Sequence, residues 1–394
     1  MQTFDRDHFD RLFLAAIVVL AVALRVVAAV VIPDQSHLLV DAVAYRQSAI
    51  SLVDSLHPQN PYQMPLYPLM IAITGPGLGQ LAADILLSVL LVAVVHALTL
   101  AVFGDRLAAL LAALMTACYP PFIFISIVGL SESLFITLVL LSFLFWYRRS
   151  FTPAVIFAVL AVLTRPVFDV FAPLLVLLFA LVVHGMSLKQ ASGRLFAYVA
   201  IYCALMTPWW LANYQEYGQF VRLTAGGGTQ LYAGNNPLNK TGGALVGEDY
   251  DMKDFLGIPN LADRDRAAGA AAIAYIRRNP AHFIELAWLK FVRVWRPWPV
   301  NPGYSGIGIL LVTAGSYLPV LVLALVGIAM KRRNWRRLSP IYAFAGAYTL
   351  VHMVMAGTIR YRLPLEPFLI IFAAIALSEF WREFRLRRFG AVTH

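Results

Sequence analysis

Long apolar segments recur along the chain and limit the folds that it can adopt. A helix needs about 20 apolar residues to span a bilayer. Eight runs of roughly this length are uninterrupted, and one more stretch, 153–184, is apolar but interrupted by Thr164-Arg165-Pro166 and by Asp169. The interruptions predict two shorter helices that meet at a polar apex. We therefore predict an all-α polytopic membrane protein, a bundle of about ten transmembrane helices with external amphipathic helices and one larger external loop. The eight uninterrupted runs are 12–32, 81–103, 107–127, 130–147, 195–212, 306–330, 339–357 and 365–381.

The composition excludes several classes of protein. Of 394 residues, 60% are hydrophobic and only 13% are charged, whereas a soluble domain carries roughly 25% charged residues. This excludes a soluble enzyme with a single core, a disordered protein and a nucleic-acid-binding domain, although the net charge of +10 could suggest nucleic acid. The two cysteines, Cys118 and Cys203, both lie in apolar runs and form no metal-binding or disulfide pattern.

The positions of Lys and Arg predict how the chain is oriented, because short cytoplasmic loops accumulate them. With the N-terminus inside, 16 of the 31 basic residues are cytoplasmic, whereas the short external segments hold only Arg46, Arg165, Arg360 and Arg362. Both termini are then cytoplasmic. The 16 are Arg6, Arg11, Arg106, Arg148, Arg149, Lys189, Arg194, Lys331, Arg332, Arg333, Arg336, Arg337, Arg382, Arg385, Arg387 and Arg388.

Two external regions are long enough to carry function. The first, 33–80, includes a predicted amphipathic helix over 42–56 and a Pro-rich segment. The second, about 213–305, begins with glycine-rich turns and continues into helix-like stretches at 262–278 and 281–298, the latter typical of a headgroup boundary. The chain thus divides into an N-terminal transmembrane catalytic module, an external region and C-terminal transmembrane helices. Their ranges are 1–212, 213–305 and 306–394.

Ionisable side chains at the membrane are costly, so those on the external side form a shortlist for function. Asp41 is either a helix cap or a site residue, and Glu132 either stabilises a helix dipole or belongs to the site. We favour Arg165 as an anion ligand over a membrane anchor. Arg360 and Arg362 offer guanidinium forks for a phosphate, the alternative being a structural Arg362–Glu366 pair. The full shortlist is Asp41, Tyr45, Arg46, Asp84, Glu132, Arg165, Asp169, Arg360, Arg362 and Glu366.

Several short motifs occur in an order that resembles the GT-C glycosyltransferase superfamily, in particular its protein O-mannosyltransferase and lipid A aminoarabinose-transferase group. Each motif is weak alone, but their order and topology together are specific. The resemblance covers most of the chain. The motifs are Asp41-x-x-x-Tyr45, Pro65-Leu66-Tyr67-Pro68, Leu163-Thr164-Arg165-Pro166, Thr207-Pro208-Trp209 with Asn213-Tyr214, Gly234-Asn235-Asn236-Pro237 and Arg360-Tyr361-Arg362-Leu363-Pro364.

The resemblance implies an inverting glycosyltransferase that takes a sugar from a polyprenyl-phosphate donor. It implies that Asp41 is the base toward the acceptor hydroxyl, and Glu132 matches a second acidic position loosely. Met64 stands where the family often has Pro. The acceptor would be a lipid, a glycan or a protein, membrane lipids would be further partners, and nucleic acid would not. The expected donor-phosphate ligands are Arg165, Arg360 and Arg362, and the expected substrate contacts are Tyr45, Tyr67, Glu132 and Tyr361.

The same resemblance places the protein in a bacterial inner (plasma) membrane with its active site on the periplasmic, external face. It specifies no cofactor, and a divalent metal stays open; His282 and Glu285 share a helix face but have no third ligand nearby. Two other functions remain open. A transporter or lipid flippase would show inverted repeats and central broken helices, and a polymerase or ligase of lipid-linked glycans would differ mainly in its acceptor.

Overall fold

The computed structural model describes residues 2–32, 39–55, 60, 62–299 and 306–389. Within these residues the regular secondary structure is helical, apart from one isolated β-bridge between Val246 and Tyr250. Sixteen α-helices occur in the described residues: α1 Gln2–Val31, α2 Val40–Ser55, α3 Leu66–Thr74, α4 Leu78–Phe103, α5 Arg106–Cys118, α6 Pro120–Ile125, α7 Glu132–Tyr147, α8 Phe151–Thr164, α9 Ala172–Leu177, α10 Leu188–Tyr217, α11 Gly227–Gly234, α12 Leu261–Arg278, α13 Pro280–Trp295, α14 Ile307–Met330, α15 Trp335–Val354 and α16 Glu366–Phe389.

The apolar runs of the sequence form the long helices of the fold. The interrupted stretch forms α8 and α9, and α9 continues as a π-helical turn over Leu178–Val183. The run 107–127 is divided into α5 and α6 because the ring of Pro120 cannot continue a helix. Among the described residues, α1 (over His8–Val31), α4, α10 and α14 are each long and apolar enough to cross a membrane alone. The predicted class, an all-α polytopic membrane protein, is confirmed.

Helix α7 lies at the centre of the bundle and packs against α4 and α8. Its Phe143 ring has the rings of Phe179, Phe344 and Phe368 within 5.0–5.8 Å between centroids. Such edge-to-face and tilted aromatic contacts add to the dispersion energy of a close-packed core. Because nearly every side chain of α7 is buried, the first residue of this helix, Glu132, lies inside the protein and not against lipid.

The helices predicted in the two connecting regions are present, with small shifts at their ends. The glycine-rich turns predicted at the start of the second region differ, because Gly227–Gly234 forms α11. The segment predicted to form an amphipathic helix, 42–56, corresponds to α2, 262–278 corresponds to α12, and 281–298 corresponds to α13. Two of the sequence motifs attach this region to the membrane helices. Trp209 on α10 donates its indole N–H to the carbonyl of Leu223 at 2.6 Å, and Asn235 donates to the carbonyl of Val354 at the end of α15 at 2.8 Å. The division at 212 and 305 remains a prediction.

Candidate active site

Arg165 is positioned by the break between α8 and α9. Pro166 begins a 3-10 segment, Pro166–Val170, and the residue before a proline is restricted to extended backbone. Arg165 accordingly has φ −143° and ψ 122° and ends α8. From this position its Nη2 atom lies 3.1 Å from Oε1 of Glu132.

Glu132 reaches the site through a glycine turn before α7. Gly129 has φ +73°, in the left-handed region, and an added Cβ would lie 2.8 Å from Nε2 of Gln80. A side chain at position 129 would therefore be strained and obstructed. Glu132 follows as the first residue of α7, where the helix dipole favours a negative charge. Its carboxylate is fully buried and must be paired.

Arg360 connects two carboxylates. It lies in the 3-10 segment Ile359–Arg362, and its guanidinium donates to both oxygens of Glu132, from Nε to Oε1 and from Nη2 to Oε2 at 3.1 Å. Its Nη1 atom donates to Oδ2 of Asp41 at 2.5 Å. Burial alone would lower the pKa of Arg360, but the carboxylates of Glu132 and Asp41 raise it well above its ordinary value. Arg360 is therefore a fixed positive charge.

Asp41 occupies the first turn of α2. Its side chain is 55% exposed, whereas that of Arg360 is 23% exposed and that of Glu132 is 0% exposed. Asp41 is thus the accessible acid of the cluster, and it accepts a hydrogen bond from a residue 319 positions away. The fold brings four residues of the shortlist together: Asp41, Glu132, Arg165 and Arg360.

Arg362 lies elsewhere. A 3-10 helix has 3.0 residues per turn, so side chains two residues apart point about 120° away from each other around its axis. Arg362 donates from Nε to Oε1 of the buried Glu366 at 2.6 Å and from Nη1 to the Arg296 carbonyl at 2.7 Å, and it lies 3.5 Å from the ring centre of Tyr317. These contacts match the structural Arg362–Glu366 pair, which was the alternative interpretation of the sequence. We therefore do not propose Arg362 as a phosphate ligand.

The three tyrosines expected to contact substrate have different surroundings. The hydroxyl of Tyr45 is 2.9 Å from Oγ of Ser131, the residue before Glu132. The ring of Tyr45 meets the ring of Tyr67 edge-on at 4.8 Å. Tyr67 is fully buried and donates its hydroxyl to Oδ2 of Asp84 at 2.7 Å. Its ring therefore packs against Tyr45 from inside the protein and holds that ring in place. Tyr361 follows Arg360 directly and is partly exposed beside the cluster.

Three solved structures of the oligosaccharyltransferase AglB from Archaeoglobus fulgidus share this architecture. One, in complex with an inhibitory peptide and a dolichol-phosphate, aligns with a TM-score of 0.57 at 16% identity, covering 99% of this chain and 52% of that one. A second, tethered to an acceptor peptide containing the NVT sequon, gives a TM-score of 0.58 at 16% identity, covering 98% and 51%. A third, in complex with Zn and sulfate, gives 0.55 at 15% identity, covering 96% and 50%.

The chain has the fold of these oligosaccharyltransferases. The fold that the motifs' resemblance implies is therefore confirmed. Membership of the superfamily and of its O-mannosyltransferase and aminoarabinose-transferase group remains a prediction. The chain spans about half the length of these neighbours. No family model and no curated protein matches the sequence.

One of these neighbours was solved in complex with Zn, so a divalent metal is the cofactor to test against the residues of this site. In the part of the chain that the structure describes, no group of three or more His, Cys, Asp or Glu side chains converges. The two carboxylates that do converge, Asp41 and Glu132, share the Arg360 guanidinium, which supplies the positive charge between them. These described residues do not fit a resident metal, and we derive no step through one.

Two residues that the sequence did not indicate lie beside the site in the folded chain. Ser131 contacts Tyr45, and His352 of α15 stacks on Tyr361 at 4.2 Å between ring centres with an interplanar angle of 17°. A lone histidine in a helix is usually satisfied by neighbouring helices, so the sequence gives little reason to place His352 in a site. The one signal in its favour was its place at the external end of a helix, shortly before the Arg360 motif.

Proposed function

We propose that this protein is an inverting glycosyltransferase that moves a sugar from a polyprenyl-phosphate donor to an acceptor hydroxyl or amide on the external face of a bacterial inner membrane. The observation that carries the proposal is the exposed Asp41 carboxylate held against Arg360, which is itself fixed by the fully buried Glu132. An accessible base beside a fixed cation suits a displacement in which a phosphate leaves. The donor class is further supported by the dolichol-phosphate in one AglB structure.

The balance of charge suggests how a donor enters. Asp41, Glu132, Arg165 and Arg360 carry two negative and two positive charges, so a donor phosphate must replace one carboxylate at a guanidinium. Glu132 is 0% exposed and cannot leave without an uncompensated buried charge, whereas Asp41 is 55% exposed. The donor phosphate therefore takes the place of Asp41 on Arg360. Donor binding thereby frees the Asp41 carboxylate to act as the base.

The reaction is then a single displacement. The acceptor oxygen or nitrogen gives its proton to Asp41 as it forms a bond to the anomeric carbon. The bond from that carbon to the phosphate oxygen breaks, and its electron pair leaves with polyprenyl phosphate. The leaving group gains negative charge, which Arg360 and Arg165 stabilise where little water is present. Attack opposite the leaving group inverts the anomeric configuration.

The remaining side chains shape the acceptor side. Tyr45 is held by Ser131 and supported by Tyr67, and Tyr361 adjoins the cluster against His352. Together with the cluster they offer aromatic faces and hydroxyl groups, which suit a sugar ring. A lipid, a glycan and a protein all remain candidate acceptors, and one AglB structure carries an acceptor peptide.

A donor panel tests this proposal. Purified protein in vesicles is incubated with polyprenyl-phosphate sugars of several kinds, and release of polyprenyl phosphate is measured by mass spectrometry. We expect release with at least one donor once an acceptor mixture is added. Movement of the donor between leaflets without release would instead establish a flippase. Failure of every donor to react, with acceptors present and the protein folded, would refute the proposal.

A further inference from the structure

A cavity of about 370 Å³ lies at the end of α7 opposite Glu132. Helix α7 has 16 residues, so about 24 Å along its axis separates the two ends. The cavity volume falls within the range of small-molecule sites, about 300–1,000 Å³. By the distribution of basic residues this end of α7 faces the cytoplasm, and the cavity is therefore separate from the proposed active site.

The cavity combines aromatic walls with positive charge. Trp146 and Phe151 line it, and so do Arg149, His184 and Arg194, whereas none of its lining residues is acidic. In the described part of the chain, neither the Arg149 nor the Arg194 side chain has an ion pair; Arg194 rests on the ring of Phe151 at 4.6 Å. The two guanidinium groups are therefore uncompensated by a carboxylate.

His184 is a third polar side chain in the lining of the cavity. Its Nε2 atom is buried and has no hydrogen-bond partner among the described residues. Arg149 and Arg194 line the same cavity, so two positive charges lie near this atom and repel each other. A negatively charged ligand between the three side chains would relieve this repulsion and could accept hydrogen bonds from each of them.

The backbone of Arg149 provides an independent observation. Arg149 has φ +60°, and it is the one described non-glycine residue with a positive φ. It occupies the position after the α7 C-cap in a Schellman motif, in which Ser150 N–H donates to the Phe145 carbonyl at 2.9 Å and Arg149 N–H to the Trp146 carbonyl at 3.0 Å. Glycine is the usual residue at this position because a Cβ is unfavourable there. An arginine at this position costs stability that a glycine would not.

We propose that this cavity binds a phosphate group, carried either by an anionic phospholipid of the adjacent leaflet or by a small soluble ligand. Arg149 and Arg194 hold the phosphate as guanidinium forks, and the Trp146 and Phe151 rings pack on the apolar part of the ligand. Basic pockets between membrane helices on the cytoplasmic side are typical sites for lipid phosphates. The strained Arg149 backbone is then retained for binding rather than for folding.

The test uses the full chain in neutral detergent, with phosphatidylglycerol, phosphatidylcholine and inorganic phosphate as separate probes. Binding is followed by native mass spectrometry and thermal unfolding. We compare Arg149→Gly with Arg148→Gly, since Arg148 is an exposed neighbour that does not line the cavity. We expect Arg149→Gly to keep or raise the melting temperature and to weaken binding at least about tenfold, whereas Arg148→Gly changes binding less than about twofold.

Arg194→Gln provides a second variant with the same expected loss of binding. Binding of phosphatidylglycerol without inorganic phosphate would identify a lipid site, and binding of inorganic phosphate would identify a soluble ligand; either upholds the proposal. The proposal is overturned if neither probe binds the unchanged protein, or if phosphatidylcholine binds as tightly as phosphatidylglycerol and inorganic phosphate does not bind. Equal weakening by Arg148→Gly and Arg149→Gly would also overturn it, because it would show general surface charge alone.

Discussion

The Arg360 guanidinium donates to both carboxylate oxygens of Glu132, a residue 228 positions earlier in the chain. This contact joins the 3-10 segment before α16 to the start of α7, the most enclosed helix of the bundle. Because Glu132 is fully buried, the contact fixes where the Arg360 charge lies. The position of the exposed Asp41 carboxylate depends on it in turn.

Removal of Arg360 leaves the Glu132 carboxylate buried with Arg165 as its remaining ionic partner in the described part of the chain. We expect Arg360→Ala to lower the free energy of unfolding by up to about 3–5 kcal/mol, the usual cost of breaking a buried pair. Arg360→Lys, which keeps the charge but loses the two-point contact with Glu132, should restore part of that stability. Thermal unfolding and donor turnover, measured on both variants, check this prediction. Near-normal sugar transfer by a folded Arg360→Ala protein would show that the Arg360 charge is dispensable for the reaction.

The Arg362–Glu366 pair should contribute to stability and not to donor binding. Arg362→Ala leaves the buried Glu366 carboxylate unpaired, so we expect a lower melting temperature. Arg362→Met combined with Glu366→Leu replaces both charges with apolar side chains and should recover the melting temperature. Donor affinity, measured by titration, should then equal that of the unchanged protein. A stable double variant with weakened donor binding would return Arg362 to the phosphate site.

Lys290 of α13 should make stability depend on pH. Its amine is fully buried, donates to Oδ1 of Asn235 at 2.9 Å, and burial lowers its pKa to about 7. An unfolded lysine titrates near 10.4, so between these values the unfolded state binds more protons. Stability contributed by this group therefore rises with pH across that window, by at most about 1.4 kcal/mol per pH unit, and is flat below it.

Chemical unfolding between pH 6 and 10 measures this effect. The difference in unfolding free energy between the unchanged protein and Lys290→Met should grow with pH in favour of the unchanged protein. Lys240→Met is the control, because Lys240 is exposed, and it should show no such trend. A difference for Lys290→Met that stays constant over this range would mean that the buried amine keeps its ordinary pKa.

The long membrane helices could be predicted from the sequence because each depends on a local apolar run, whereas the short helices α3 and α11 were not predicted. The position of Arg165 was also foreseeable, since Pro166 fixes both the helix end and the extended backbone before it. The separation of Arg360 from Arg362 was not, because it depends on whether their segment is extended or 3-10 helical, and that is decided by packing against α13. The sequence alone does not show whether Arg362 binds a phosphate or pairs with Glu366, because a guanidinium group suits both contacts.

The contacts of Tyr67 and His352 could not be predicted from the sequence for a related reason. The motif that contains Tyr67 indicated a substrate contact, but its hydroxyl is taken by Asp84, a residue of the next membrane helix. His352 has no motif of its own and reaches the site because α15 ends beside Tyr361. Both outcomes follow from how helices pack together, which no single segment specifies.

The central claim is that Asp41 is the base of a sugar transfer from a polyprenyl-phosphate donor. The most direct measurement compares polyprenyl phosphate release by the unchanged protein, Asp41→Asn and Asp54→Asn. Both aspartates are exposed residues of α2, but Asp41 contacts Arg360. We predict that Asp41→Asn folds normally and lowers turnover by about 10²–10⁴-fold, whereas Asp54→Asn retains turnover. Near-normal release by a well-folded Asp41→Asn protein would contradict the account.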